Sequence, residues 1–231
     1  MTIPPSLETV LNRIGQTQIP LPPPIALFIG ILVFIALLGP TLWKVTIYVN
    51  TVVHESAHAL IGLGTGHKIH SVKINPNGGG STDMEPKSGL GYGVAAFVGY
   101  VGPGAAGLLA AWLISIGRIV AVLWLGGLLL AAMVLMVRNL FGGIVILACG
   151  ALLYLILRYT TAGVETAVAY GLTWFLLLSA PKHALSVAKK PKNVADAKIL
   201  AGMTFLWPSA WCFLWLVGTI AALIAGGAIL V

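Results

Sequence analysis

The chain has 231 residues, of which 58% are hydrophobic and only 8% charged. A soluble globular domain carries roughly a quarter charged residues, so this composition excludes one and makes lipid the chain's natural solvent. The apolar runs are too long and continuous for barrel strands, which leaves an all-α polytopic membrane protein, and the net charge of +7 is read through membrane topology rather than as a footprint of nucleic acid.

Residues 1–24 read as an N-terminal arm, with a short helix over 6–18 expected to lie on the membrane surface and IPLPPP as a stiff spacer. The arm lacks the basic start and immediate apolar core of a cleavable signal peptide. Residues 25–231 read as a single transmembrane domain, with spans predicted at about 25–39, 41–64, 90–115, 119–137, 141–159, 163–180 and 205–230. That makes about six to seven transmembrane helices, because the first is short enough to be tilted or re-entrant. The first substantial polar segment, 65–89, separates the second span from the third. Within it HKIHSVKIN, 67–75, alternates like a strand, and Pro76, Asn77 and Gly78–Gly80 make a turn, so a short β-hairpin is predicted. Cys149 and Cys212 fall in different spans and read as small buried hydrophobes rather than a disulfide.

Seven spans put Arg13, Lys68, Lys73, Lys87, Arg138, Lys182, Lys189, Lys190, Lys192 and Lys198 on the side of the N-terminus, and Lys44, Arg118 and Arg158 on the other. This asymmetry predicts a cytoplasmic N-terminus and a C-terminus outside. The basic run 181–198 reads as a solvated loop touching anionic lipid heads, with membrane lipids and no nucleic acid as its partners.

The second span carries His54-Glu55-x-x-His58. On a helix, positions i and i+4 share one face, so two imidazoles reach one Zn²⁺. Glu55 stands beside a ligand, where it serves as general base toward a water made acidic by the metal. Soluble helices produce this pattern by accident, but an unpaired carboxylate in a span costs at least ~2.5 kcal/mol. Only six acidic residues exist in the chain, and one occupies the required position. At ~1.5 Å per residue, His54 lies about 20 Å from the start of its helix, within the membrane and nearer the cytoplasmic side. A catalytic zinc takes three protein ligands. Glu8 in the arm and Glu165 at the far side are badly placed, while Asp83, Glu85 and Asp196 share the right side and spacing does not separate them. Asp196 is also a natural helix-start residue. His67, His70 and His183 read as residues of the polar segments rather than as metal ligands.

HESAHALIGLGTGHKIHSVKI, together with the glycine-proline span GYVGPGAAGLLAAWL at 99–113, resembles the site-2 protease family of intramembrane zinc metallopeptidases. The likeness covers roughly residues 41–230 and is close to the compact bacterial branch. It implies a multi-pass protein of the bacterial plasma membrane, with one catalytic Zn²⁺, that hydrolyses peptide bonds of membrane-embedded protein substrates. The better-known members draw their third ligand from an N-x-x-P…L-D-G stretch, and the counterpart RNLFGGIVILACG, 138–150, keeps Asn139 but has no aspartate. The compact branch has an Asp-Ala pair before its last span, and VADAKILAGMTFLWPSAW is similar to it, so the resemblance favours Asp196. It also implies a hairpin at membrane level beside the site, where an extended substrate pairs with the strand edge. His70, Val72 and Ile74 on that strand are then candidate substrate-binding residues. So is Asn139, whose other reading is a helix cap. The competing function is a non-catalytic scaffold or metal-binding transporter subunit on the same fold. An intact Glu55 argues against the scaffold, and the lack of an inverted repeat against the transporter. No feature of the chain fixes an oligomeric state.

Overall fold

The structure is a computed structural model that describes residues 15–231. The surface helix expected over 6–18 lies almost wholly outside the described residues. The elements are helices α1 (Pro23–Leu38) and α2 (Pro40–Gly64), strands β1 (Lys68–Ile74) and β2 (Gly80–Glu85), then α3 (Gly89–Ser115), α4 (Ile119–Met136), α5 (Leu140–Tyr159) and α6 (Ala162–Ala188). A 3₁₀ turn (Pro191–Asn193), α7 (Ala195–Met203) and α8 (Pro208–Leu230) complete the chain. Long apolar runs become helices because lipid offers the backbone no hydrogen-bond partner. Proline opens α1, α2 and α8, where its missing N–H costs nothing. The run 181–198, read above as a loop, is instead the end of α6, the 3₁₀ turn and the start of α7.

Five helices, α3, α4, α5, α6 and α8, are long and apolar enough to cross a membrane. The two spans expected over 25–64 form one broken element, in which α1 and α2 meet at 109° and together supply at most a sixth span. Gly39 is extended there, with φ −71° and ψ 122°, because the ring of Pro40 pushes the preceding residue out of the helical region. Lys182 of α6 fastens the break. Its Nζ donates to the carbonyl of Leu37 at the open end of α1, and it lies 4.3 Å from the centroid of the Trp43 ring.

Lipid tails are as apolar as leucine, so the bundle is held by close packing rather than by exclusion of water. Gly107 of α3 and Gly226 of α8 both press against Leu177 of α6. Ala110, Ala111, Ile114, Tyr170, Trp174 and Leu230 fill the space around that contact. A second cluster, Ala96, Ala184, Ala197, Leu200, Cys212 and Trp215, joins α3, α6, α7 and α8 nearer the hairpin. Cys149 and Cys212 are both free thiols.

α3 starts beside the hairpin and ends at the Gly117 turn, which defines two ends of the bundle. Gln18 N–H donates to Gly117 O at 2.8 Å, Gln18 Oε1 accepts Val120 N–H at 3.1 Å, and Leu21 N–H donates to the Tyr170 hydroxyl at 2.9 Å. Residues 15–22 therefore sit at the end opposite the hairpin. The expectation that N-terminus and hairpin share a side is corrected for this described part of the arm, because α1 and α2 form one bent element whose two ends lie at opposite ends of the bundle.

β1 and β2 are antiparallel, with Lys68 opposite Glu85, Val72 opposite Thr82 and Ile74 opposite Gly80. The turn between them needs Gly78 at φ +84°, a conformation that side chains disfavour. The other edge of β1 is also occupied. Val72 bridges Val137 in parallel, Arg138 N–H donates to Val72 O at 3.0 Å, and Asn139 bonds both backbone groups of Ile74, at 3.1 and 2.7 Å.

Candidate metal centre

The i, i+4 spacing on α2 brings the Nε2 atoms of His54 and His58 to 3.0 Å. His58 Nδ1–H donates to Ala95 O at 2.7 Å, which orients the ring with its Nε2 facing His54. Asp196 comes from the first turn of α7, where a carboxylate suits the helix dipole. Its Oδ2 is 3.6 Å from His54 Nε2 and 3.5 Å from His58 Nε2. The ligand atoms of the three residues all lie within 4.8 Å of one another, close enough to hold one metal ion, and both histidines are buried. Bonds of about 2.0–2.1 Å in a tetrahedron separate neighbouring donors by roughly 3.3–3.4 Å. Edges of 3.0, 3.5 and 3.6 Å fit such a centre.

Helix α3 passes unusually close. A Cβ at Gly99 would fall on His58 Cε1 and Nε2, so only glycine leaves room for the imidazoles. His54 has no partner for its Nδ1 among the described residues and is instead wedged edge-on against Tyr100, ring centroids 4.6 Å apart. Tyr100 stacks in turn on Trp215 at 4.3 Å, and the Trp215 indole N–H donates to Phe97 O at 2.9 Å.

Glu55 is 2% exposed and is held from the hairpin side. Thr82 Oγ1–H donates to Glu55 Oε2 at 2.7 Å, and a Cβ at Gly80 would meet Glu55 Oε1 at 2.5 Å. The hairpin is tied down by Thr51, whose hydroxyl donates to Gly78 O at 2.6 Å, and by Tyr48, whose hydroxyl donates to Pro76 O at 2.7 Å. A cleft of about 490 Å³ opens over the centre, walled by Gly78–Thr82 on one flank and by Tyr100, His183 and Lys190 on the other.

Of the three acids left open by spacing, only Asp196 reaches the histidines. Asp83 pairs with Lys87 at 2.9 Å, and Glu85 with His70 at 3.2 Å, both on the hairpin's outer surface. The candidate substrate residues do not line the cleft. Val72 and Ile74 are fully buried in a cluster with Val52, Ala59, Met133 and Ile146. Asn139 is engaged by Ile74, and His70 by Glu85. The reason is the segment 137–139, which closes the β1 edge and leaves β2, paired only with β1 among the described residues, to line the cleft. His183 is not a loop residue but part of α6, its ring centroid 6.0 Å from that of His54. His67 bridges α2 and α3, with Nδ1 3.0 Å from the Thr65 hydroxyl and its ring stacked on Tyr92.

Sequence reasoning missed Gly80, Thr82, Gly99, Tyr100 and Asn50. For Asn50 a signal exists, since it precedes His54 by four residues and so shares its face. The others reach the site only through tertiary packing. Compared with known families, residues 27–226 match the family described as Peptidase M50B-like. Searches of curated proteins and of solved structures found no match. Because the family match runs from the first, bent element to the last helix and takes in His54, Glu55, His58 and Asp196, the chain belongs to the Peptidase M50B-like family, a site-2 protease family.

Proposed function

We propose that the chain is an intramembrane zinc endopeptidase that hydrolyses peptide bonds in membrane-embedded segments of other proteins, with its cleft open toward the cytoplasm. The observation that carries this is the pairing of a tetrahedrally spaced His54–His58–Asp196 group with a buried glutamate beside it. Held by those three side chains, a zinc ion would supply Lewis acidity toward a peptide carbonyl and toward water. Glu55 takes the proton of the attacking water and returns it to the leaving amine, and Thr82 fixes the carboxylate for that transfer. The neighbouring β2 edge offers backbone groups to an extended substrate, so the substrate helix unwinds before cleavage, and glycine-rich spans unwind most readily. Ala95 and Gly99 lie about 9–15 Å along α3 from its hairpin end at ~1.5 Å per residue, a depth within a ~30 Å hydrocarbon layer. That depth supports a transmembrane protein as the substrate, with the cleft as the route for water. The scaffold reading leaves the Thr82–Glu55 bond without a purpose.

The test is metal content followed by one substitution. Purified protein is expected to hold about one zinc per chain, lost in His54→Ala and His58→Ala. Glu55→Gln is expected to keep the zinc and lose cleavage of membrane-protein substrates. Protein that takes up no zinc, or a Glu55→Gln variant that processes membrane proteins like the wild type, would overturn the reading.

A further inference from the structure

On the flank opposite the hairpin, α6 contributes a polar relay that the reaction as written does not use. Asn50 and Ser179 are both fully buried. The Ser179 hydroxyl donates to Asn50 Oδ1 at 3.1 Å, and Asn50 Nδ2 lies 2.9 Å from His183 Nδ1. An amide N–H donates only to an unprotonated ring nitrogen, so this arrangement makes Nδ1 of His183 an acceptor and puts the ring proton on Nε2. With Nδ1 turned toward α2, Nε2 is the nitrogen left for the cleft that His183 lines.

The ring stands close to the reacting centre without joining the metal group. Its centroid is 6.0 Å from that of His54 and 5.3 Å from that of Tyr100. Burying an amide and a hydroxyl between apolar helices is unfavourable unless each finds a partner, and two apolar side chains would join α2 and α6 without that cost. A satisfied network of this kind locks geometry. Here its product is one imidazole of defined tautomer on the cleft wall near His54, while Glu55 is held by the other wall.

Resting on the peptidase reading, we propose that His183 is a catalytic residue whose Nε2–H donates to the scissile carbonyl oxygen as negative charge develops there, with Asn50 and Ser179 as positioning residues. Fixed donors aimed at a developing oxyanion lower the barrier without reorganising during the reaction.

The test uses the full zinc-loaded chain in lipid vesicles and a quenched-fluorescence transmembrane peptide with a glycine-rich centre, with Glu55→Gln as the blank. His183→Phe is expected to lower kcat by about 10²–10³-fold, the loss typical of one oxyanion donor. KM is expected to stay within about threefold, with zinc stoichiometry and melting temperature unchanged. His183→Gln, which restores a side-chain N–H, is expected to recover at least about tenfold over His183→Phe. Nitrogen chemical shifts of His183 are expected to report the Nε2–H tautomer in the zinc-loaded Glu55→Gln protein, and to lose it in Asn50→Leu. This measurement and His183→Gln keep the proposal falsifiable if His183→Phe fails to fold. A His183→Phe enzyme within about threefold of wild-type kcat, or an Nδ1–H tautomer, overturns the role of His183 alone. A wild type no faster than Glu55→Gln sinks the peptidase reading and this role with it.

Discussion

Two glycines at the centre show how single atoms divide the labour. A methyl group at Gly99 falls on the imidazoles of His54 and His58, whereas one at Gly80 falls on the carboxylate of Glu55. Backbone lies behind both positions, on α3 and on β2, so neither can retreat without moving a packed element. Gly99→Ala is therefore expected to strip the metal, leaving less than about a tenth of the zinc on the chain, as read by elemental analysis. Gly80→Ala is expected to keep the zinc and lose turnover, because only the proton-transferring group is displaced. Equal zinc in the two variants would show that α3 does not set the histidine geometry. Thr82→Val separates orientation from space at the same carboxylate. It removes the 2.7 Å hydrogen bond without adding bulk, and a kcat about tenfold lower at full zinc content is expected. The histidines and Glu55 were legible in the sequence because one helix supplies all three at fixed spacing. Asp196 was legible as a candidate acid, and the resemblance preferred it. Thr82 and Gly80 were not, since the turn that folds them over α2 has no periodicity that names its target.

The hairpin is the element through which the site is built, and it is fastened at its turn and along the β1 edge. Asn139 reproduces a strand's pairing with its side-chain amide, bonding the N–H and C=O of the fully buried Ile74. Sequence reasoning placed Asn139 at a span boundary, and its position there is as expected. What it touches depended on α4 returning to the hairpin, and no local pattern encodes that. Asn139→Ala leaves two buried backbone groups without partners, at about 1–3 kcal/mol each. Hydrogen exchange of the β1 amides is expected to accelerate by at least about tenfold, and cleavage to fall because the hairpin orients Glu55. Unchanged exchange would mean that Val137 and Arg138 hold the strand unaided. At the open end of the hairpin, the hydrogen bond and charge of Lys87 hold the Asp83 carboxyl below its usual range, and Asp83 in turn raises the Lys87 ammonium. The pair's contribution is complete above the ordinary carboxylate pKa and fades as pH falls through the depressed Asp83 value. On the alkaline side it fades as pH rises through the raised Lys87 value. Acidification, and Asp83→Asn at neutral pH, are thus both expected to loosen the strand ends. Zinc content in Asp83→Asn is expected to match the wild type, because Asp83 lies outside the metal group.

At the scale of the molecule, the bend between α1 and α2 decides what faces which side. Hydropathy counts two apolar runs over 25–64, and Gly39–Pro40 marks a break between them. A break in sequence carries no angle, however. The 109° turn comes with the Lys182 clamp on Leu37 and Trp43, contributed from the other end of the chain. Merging the two runs into one element moves the described part of the N-terminal arm to the end that carries Gly117, away from the site. The charge asymmetry survives this change. Lys68, Lys73, Lys87, Arg138, Lys189, Lys190, Lys192 and Lys198 lie at the hairpin end, against Arg118 and Arg158 at the other. Short loops rich in lysine and arginine stay in the cytoplasm, so the hairpin and cleft are expected to face inward, with residues 15–22 and the end of α8 outward. Gln16 and Lys87 are both exposed and sit at opposite ends, which makes them suitable probes. In a background where Cys149 and Cys212 are alanine, a membrane-impermeant thiol reagent applied to whole cells is expected to label Gln16→Cys and spare Lys87→Cys until the membrane is opened. Protection of both before opening, or labelling of both, would place the arm on the side of the cleft and restore two separate crossings for α1 and α2. Labelling of Lys87→Cys alone would invert the protein and turn the cleft outward, so the substrate's cut end would be released outside the cell.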